Sequence, residues 1–270
     1  MKPSPQRYFL LAMGASLLCS VTLIFSQDTG SPPPPPDGGI FDQGGLIEKK
    51  PEPDQEGVEA QAKGPVHEAF ATPTSSTVPQ PGPIVPQEPP QVVEEMPPDQ
   101  KPEGDNVQWI SGYWHYDEEA KNFMWVSGIW RQVPPGMDWV PGAWNTVQPG
   151  PGYQWSAGFW KSAQQGEMQV VPTPPEPINA NDPPQPSADC TYVPGSWIYK
   201  ETRYVWRPSY WQPCRPGWVW NPCRYIWSPC GYYFVDGYYD YVPRDRGLLF
   251  CPVYFAANVI RPGYIYQPRY

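Results

Sequence analysis

The sequence predicts an all-β protein, an antiparallel meander of short aromatic-rich strands with glycine bulges, preceded by a long disordered Pro-rich tail. Three observations predict it. Of 270 residues, 42 are Pro and 24 are Gly, a density that interrupts any helical run long enough to be stable. All 14 Trp lie between Trp109 and Trp227, so two unlike materials are joined in one chain. A hexapeptide, Trp-x-x-Gly-x-Trp, recurs through the aromatic part with turn residues between its copies.

Charge divides the chain in the same way. Residues 27–107 hold 15 acids and 4 bases, whereas residues 108–270 hold 12 of each, so the net charge of −9 belongs to the tail. Residues 190–270 carry 4 acids against 9 bases, eight of them Arg. Those bases are too dispersed among aromatic residues to form a nucleic-acid face, and no nucleic-acid partner is expected.

Residues 1–26 read as a signal peptide or N-terminal anchor. Lys2 and Arg7 precede an apolar run of 18 residues, Tyr8 to Phe25, followed by Ser26. Cleavage after Ser26, a retained anchor and lipid attachment at Cys19 all remain open. The chain is expected to be exported to the periplasm, cell surface or medium, with membrane contact only through this segment if it is uncleaved.

Residues 27–107 form the acidic Pro-rich linker. With no Trp, Tyr or Cys it is expected to stay disordered, because it cannot bury enough apolar surface to offset the entropy of ordering. Polyproline II character is expected around Pro32–Pro36 and Pro79–Pro90. A docking motif is the alternative, on spacings such as Pro83 to Pro86.

Residues 108–161 are the repeat region, with hexapeptides at Trp109 to Trp114, Trp125 to Trp130, Trp139 to Trp144 and Trp155 to Trp160. Their first Trp residues are 16, 14 and 16 positions apart, so one copy equals one strand plus one turn. After a second Pro-rich linker, 162–189, the pattern returns in degraded form in the Cys-containing region 190–270. Tyr192 to Trp197 keeps the Gly, whereas Trp206 to Trp211 has Ser209 in its place. Trp220 follows 14 residues after Trp206.

In a regular strand, residues five apart point to opposite faces. A bulge with positive φ at Gly112, Gly128, Gly142, Gly158 and Gly195 would bring both rings of each hexapeptide to one side. The competing geometry is a type II turn at each Val-Pro-Gly, pairing Trp139 with Trp144. The bulge leaves strands of roughly eight or nine residues, long enough for a sheet, and is preferred. Neighbouring strands then place Trp beside Trp, so that aromatic ladders replace an aliphatic core. Whether 108–160 and 190–260 form one sheet or two stays open.

The four hexapeptides resemble the WxxGxW repeat, also written YXWGXW, of exported bacterial proteins. The stretch from Gly231 to Phe255 resembles a segment of planctomycete secreted proteins that bear this repeat. The resemblance covers roughly residues 108–260, excluding 162–189, and supplies no catalytic residues to carry over. This chain departs from the pattern in its cysteines.

Beyond Cys19, five cysteines remain: Cys190, Cys214, Cys223, Cys230 and Cys251. In an oxidising compartment they are expected to pair, leaving one for an intermolecular disulfide. No C-x₂₋₄-C pair with a nearby His exists, so no metal site is expected. No phosphate loop appears either, and no cofactor is expected.

His115 reads as a solvent-facing strand residue, and His67 falls in the tail. Asp236, Asp240 and Asp245 are the acids available for glycoside hydrolysis, but Asp236-Gly237 reads first as a hairpin turn. The function expected is therefore a non-enzymatic structural or interaction module of the cell envelope, with envelope proteins or polysaccharide as partners. Glycan binding through exposed Trp and Tyr is the alternative, and a glycoside hydrolase using paired Asp comes third.

Overall fold

The structure, a computed structural model, describes residues 56–71, 78–147, 150–178 and 182–269. The signal-like segment and residues 27–55 lie outside the described residues. The described chain is all-β, with a 3₁₀ turn at Pro243–Asp245. No helix of the described residues is long and apolar enough to cross a membrane.

Among the described residues the aromatic part folds as four antiparallel ribbons, each made of two facing hexapeptides. In ribbon 1, Val107–Ile110 and Tyr113–Asp117 run out, and Asn122–Val126 and Ile129–Gln132 return. Ribbon 2 pairs Met137–Val140 and Ala143–Thr146 with Tyr153–Ser156 and Phe159–Ser162. Ribbon 3 pairs Cys190–Val193 and Ser196–Lys200 with Arg203–Arg207 and Tyr210–Pro213. Ribbon 4 pairs Trp218–Asn221 and Arg224–Ser228 with Gly231–Val235 and Tyr238–Tyr241. The ribbons belong to separate small sheets of two to four strands, so the two repeat regions build neither one sheet nor two.

The expected aromatic ladder is present within each ribbon. Trp109 faces Trp130, Trp114 faces Trp125, Trp139 faces Trp160 and Trp144 faces Trp155. Tyr192 faces Trp211, Trp197 faces Trp206, Trp220 faces Tyr239 and Tyr225 faces Phe234. These ring centroids lie 4.9 to 5.5 Å apart in edge or tilted geometry. Each such pair adds about 0.5–1.5 kcal/mol to the burial of its rings.

The bulge expected at Gly112, Gly128, Gly142, Gly158 and Gly195 does not form. Equal numbers of residues separate the two aromatic pairs on both strands, so no extra residue is inserted. None of the five takes a positive φ, which occurs instead at turns such as Lys121, Gly136, Glu201 and Gly217. The type II turn is also absent, since Trp139 and Trp144 face different partners.

What each hexapeptide glycine supplies is room for an indole. Pairing lapses for two residues on both strands, giving a kink, and the first Trp of the opposing hexapeptide lies across it. A Cβ at Gly142 would stand 2.3 Å from Trp155 Cζ2, and one at Gly158 would stand 2.4 Å from Trp139 Cζ2. At Gly112 it would meet the Val126 carbonyl oxygen at 2.3 Å. Gly195 bears the same relation to Trp206, and Gly237 to Trp220. The rule extends to the degraded copies. Where Ser209 and Cys223 replace Gly, the opposing first aromatic has shrunk to Tyr192 and Phe234.

This pairing makes a prediction. Gly158→Ser is expected to destabilise by about 1–3 kcal/mol through overpacking, and Trp139→Tyr in the same chain should recover part of that loss. A double-mutant cycle by urea denaturation measures the coupling, and strict additivity of the two changes would contradict the steric account.

The Pro-rich tail and linker are the larger correction. Within 56–107 the described residues are packed, not disordered: Ala69, Val85, Val93 and His67 are all buried. Val58–Ala60 pairs with Val253–Phe255, and Glu94–Glu95 runs parallel to Ile265–Tyr266. In the linker 162–189, Val170–Val171 pairs with ribbon 4. The physical reason is complementarity. A Pro-rich backbone carries carbonyls that no secondary structure uses, and indole N–H groups are donors that need acceptors once buried.

A candidate binding cleft

At the kinks of ribbons 1 and 2, backbone N–H groups point into a notch that an acid from the Pro-rich tail fills. In ribbon 1, Glu95 Oε1 accepts from Trp125 Nε1–H at 2.7 Å and Gly128 N–H at 3.0 Å, while Oε2 accepts from Gly112 N–H at 2.9 Å. In ribbon 2, Glu68 accepts from Trp155 Nε1–H at 2.9 Å and Gly158 N–H at 2.7 Å. Burial raises both carboxyls above their ordinary range, while the donated hydrogen bonds pull them back down. In ribbon 3, Asp182 accepts from the Tyr192 and Ser209 hydroxyls.

The last indole of each of ribbons 1, 2 and 3 then donates to a carbonyl just beyond the acid. Trp130 donates to Pro98 O at 2.8 Å, Trp160 to Ala69 O at 3.1 Å and Trp211 to Pro183 O at 2.8 Å. On the outgoing strands, Trp114 donates to Gln91 O and Trp197 to Glu176 O, both at 2.9 Å. The same chemistry therefore clasps a Pro-rich segment onto three ribbons.

His67, placed by sequence in the tail, is buried beside the kink of ribbon 1. Its Nδ1 accepts from Ala69 N–H at 3.1 Å, so Nε2–H donates to Ser111 O at 3.1 Å. Only the neutral ring satisfies both contacts. Burial is the main cause that lowers its pKa from 6.5 to about 4, and Arg131 adds to it against the Ser111 bond. Below pH 6.5 the unfolded chain therefore takes up a proton that the folded chain refuses. Stability from this site is full at neutral pH and lost between about 6.5 and 4, by up to about 3 kcal/mol. The raised carboxyls of Glu68 and Glu95 act in the opposite sense, losing stability as pH rises above their unfolded value. The His67 contribution is isolated by comparing urea unfolding of the native chain and His67→Asn from pH 7 to 4. Their difference should shrink by roughly 3 kcal/mol, and equal pH dependence would refute the assignment.

The kinks of ribbons 2, 3 and 4, at Gly158, Gly195 and Cys223, line one cleft of about 420 Å³. Its lining includes Tyr113, Trp144, Trp155, Trp197, Trp206 and Trp227, together with prolines of both Pro-rich segments. Tyr113 and Trp155 stack at 5.1 Å and 17°. Polar groups at the cleft include Glu68, His115, Ser196 and Arg224. Behind the wall, the Arg207 Nη2 group contacts Ser196 Oγ at 3.1 Å and Cys223 Sγ at 2.8 Å. The Arg207 Nε atom is buried with no hydrogen-bond partner among the described residues.

The candidate catalytic acids are not brought together. Asp236 is exposed in the kink of ribbon 4, so the Asp-Gly hairpin expected there is overturned, and Asp240 is buried between Arg131 and Arg246. Asp245 is exposed beside Arg244, and His115 is exposed on its strand. Among the described residues no three His, Cys, Asp or Glu side chains gather as around a metal ion.

The disulfides expected among Cys190, Cys214, Cys223, Cys230 and Cys251 are not formed; all five are free thiols. Register explains part of this. Cys190 faces Pro213, which places the adjacent Cys214 on the opposite face of ribbon 3. The other polar contacts of these thiols are with Ser187, Thr191, Ser196 and Arg207. Cys214 and Cys230 are exposed.

Sequence reasoning missed ribbon 4 as a full copy, along with His67, Glu68, Glu95 and Asp182. A signal for the ribbon existed. Tyr192, Trp206, Trp220 and Phe234 are spaced by 14 throughout, which marks WNPCRY and FVDGYY as the last hexapeptides. No family model, curated protein or solved structure matches the chain.

Proposed function

We propose that this is an exported, non-enzymatic aromatic-repeat β protein, a structural or protein-interaction module of the cell envelope whose contact surface is the cleft. One observation carries the reading. The buried ionisable groups Glu68, Glu95, His67 and Asp240 are engaged in holding the fold, and the cleft, which Glu68 borders, is lined mainly by aromatic residues and prolines. A surface of that kind recognises partners by stacking and shape. The apolar run of residues 8–25 and the resemblance to the WxxGxW repeat of exported bacterial proteins support the envelope placement. A photo-crosslinking residue at Tyr116, on the cleft lining, is expected to give discrete adducts with envelope proteins in an exporting cell. Equal labelling from an exposed position remote from the cleft, such as Arg244, would refute the reading.

A second reading, glycan binding, is favoured by the concentration of Trp and Tyr side chains along the cleft lining, since aromatic rings pack against the apolar faces of sugars. Pull-down on cell-wall and extracellular polysaccharides, read with intrinsic Trp fluorescence, separates the two. The interaction reading expects no saturable spectral shift, and the glycan reading expects one.

A further inference from the structure

Three of the four ribbons carry an added antiparallel strand on the outer edge of the returning strand. Val253 faces Trp125 in ribbon 1, Val85 faces Tyr153 in ribbon 2 and Val171 faces Tyr232 in ribbon 4. Val85 and Tyr153 exchange both backbone hydrogen bonds at 2.8 Å. Tyr153 and Tyr232 hold the same place, two positions before the first aromatic of the returning hexapeptide, Trp155 or Phe234. In ribbon 3 that place is taken by Tyr204, before Trp206. Backbone N–H and C=O groups alternate sides along a strand, so Tyr204 turns the same pair of groups outward. Among the described residues no strand takes them, because Arg203–Arg207 pairs with Ser196–Lys200 alone. Val205, beside Tyr204, is 41% exposed. An edge of this kind is a template for a further strand.

We propose that the outer edge of Arg203–Arg207 docks an extended segment of a partner protein, which adds as an antiparallel strand with a β-branched residue opposite Tyr204 and an acid opposite Arg203. The chain's own added strands supply the first half of this description, and the charge on ribbon 3 supplies the second. On ribbons 2 and 4 the residue after the Val is Pro86 or Pro172, opposite Gly152 or Gly231. Ribbon 3 has Arg203 at that register position, exposed and paired across the hairpin with exposed Lys200. Opposite charges on facing residues stabilise strand pairing, and like charges oppose it. A carboxylate therefore fits opposite Arg203. A second copy does not, since it would bring its own Arg203 and Lys200 to the same basic edge. The site is the backbone edge of one strand, so it does not depend on the cleft being a contact surface.

The test titrates the full ¹⁵N-labelled chain with the end-capped peptide STIVES, whose Val and Glu take those two positions. Near saturation it is expected to slow hydrogen exchange of the Tyr204 backbone N–H by roughly tenfold. The peptide STIPES, in which Pro removes the ladder donor, is expected to have no such effect. Arg203→Glu, a change at an exposed position, should weaken STIVES roughly tenfold and strengthen the peptide STIVKS by a similar factor. Unchanged Tyr204 exchange in millimolar STIVES, equal protection by STIPES, or an affinity for STIVES indifferent to Arg203→Glu would each overturn the proposal. Tyr204 protection that rises with protein concentration before any peptide is added would overturn it in favour of a second copy. Peptide-induced shifts confined to the cleft indoles of Trp144 and Trp155 would overturn it in favour of docking in the cleft. The Tyr116 crosslinks are measured independently, so loss of this proposal leaves the interaction reading standing or falling by its own result.

Discussion

Replacing Asp240 by alanine is expected to destabilise the protein by about 3–5 kcal/mol, the cost of leaving buried charge without its partner. The Asp240 carboxylate takes both oxygens to Arg131 Nη2, at 2.6 and 2.7 Å, and lies 3.2 Å from Arg246 Nε. The Arg131 side chain is 0% exposed and that of Asp240 4%, so water cannot take over when the carboxylate is removed. The two guanidinium groups also tie distant parts of the chain together. Arg131 donates to Ala69 O and Gln132 O, and Arg246 donates to Tyr241 O and Phe70 O. Ribbon 1, ribbon 4, the tail and the segment after ribbon 4 all meet at this cluster. Asp236→Ala, four residues earlier and exposed, should change stability by less than about 0.5 kcal/mol. Guanidinium denaturation of the two variants checks both values, and a loss below about 1 kcal/mol for Asp240→Ala would remove the cluster's claimed role.

Glu95→Ala is expected to cost about 3–5 kcal/mol, because three N–H donors lose their acceptor at the ribbon 1 kink. Gly128 is buried and Trp125 is 0% exposed, so at least two donors stay dry. Glu95→Gln keeps one acceptor oxygen and should lose roughly half as much. The Trp125 indole N–H resonance should move upfield in both variants, which a mere loss of packing elsewhere would not produce. Equal stability of Glu95→Ala and the native chain would show that the tail segment rests on the ribbon without being clasped.

These two residues also show where legibility ends. Asp240 could be named as a candidate from sequence, but its role could not, since Arg131 is 109 positions away and nothing local pairs them. Glu95 lies in a segment whose composition argues for disorder when it is considered alone. Its ordering comes from acceptors that composition does not display. The glycines were identified correctly as fixed points of the repeat, yet for the wrong reason. A φ argument uses only the residue itself, whereas the indole that excludes a Cβ comes from the facing strand.

The amino-acid sequence alone determined the β architecture, the boundaries of the hexapeptides and the facing of aromatic upon aromatic. These follow from Pro density, turn residues and a period near 14 to 16, all of which act over a few neighbouring positions. Only the tertiary structure decided that the Pro-rich segments belong to the fold, that Glu95 and Glu68 seal the kinks of ribbons 1 and 2, and that the cysteines stay unpaired. Those outcomes depend on donors and acceptors meeting across dozens of residues, and a one-dimensional pattern carries no record of which carbonyl an indole will reach.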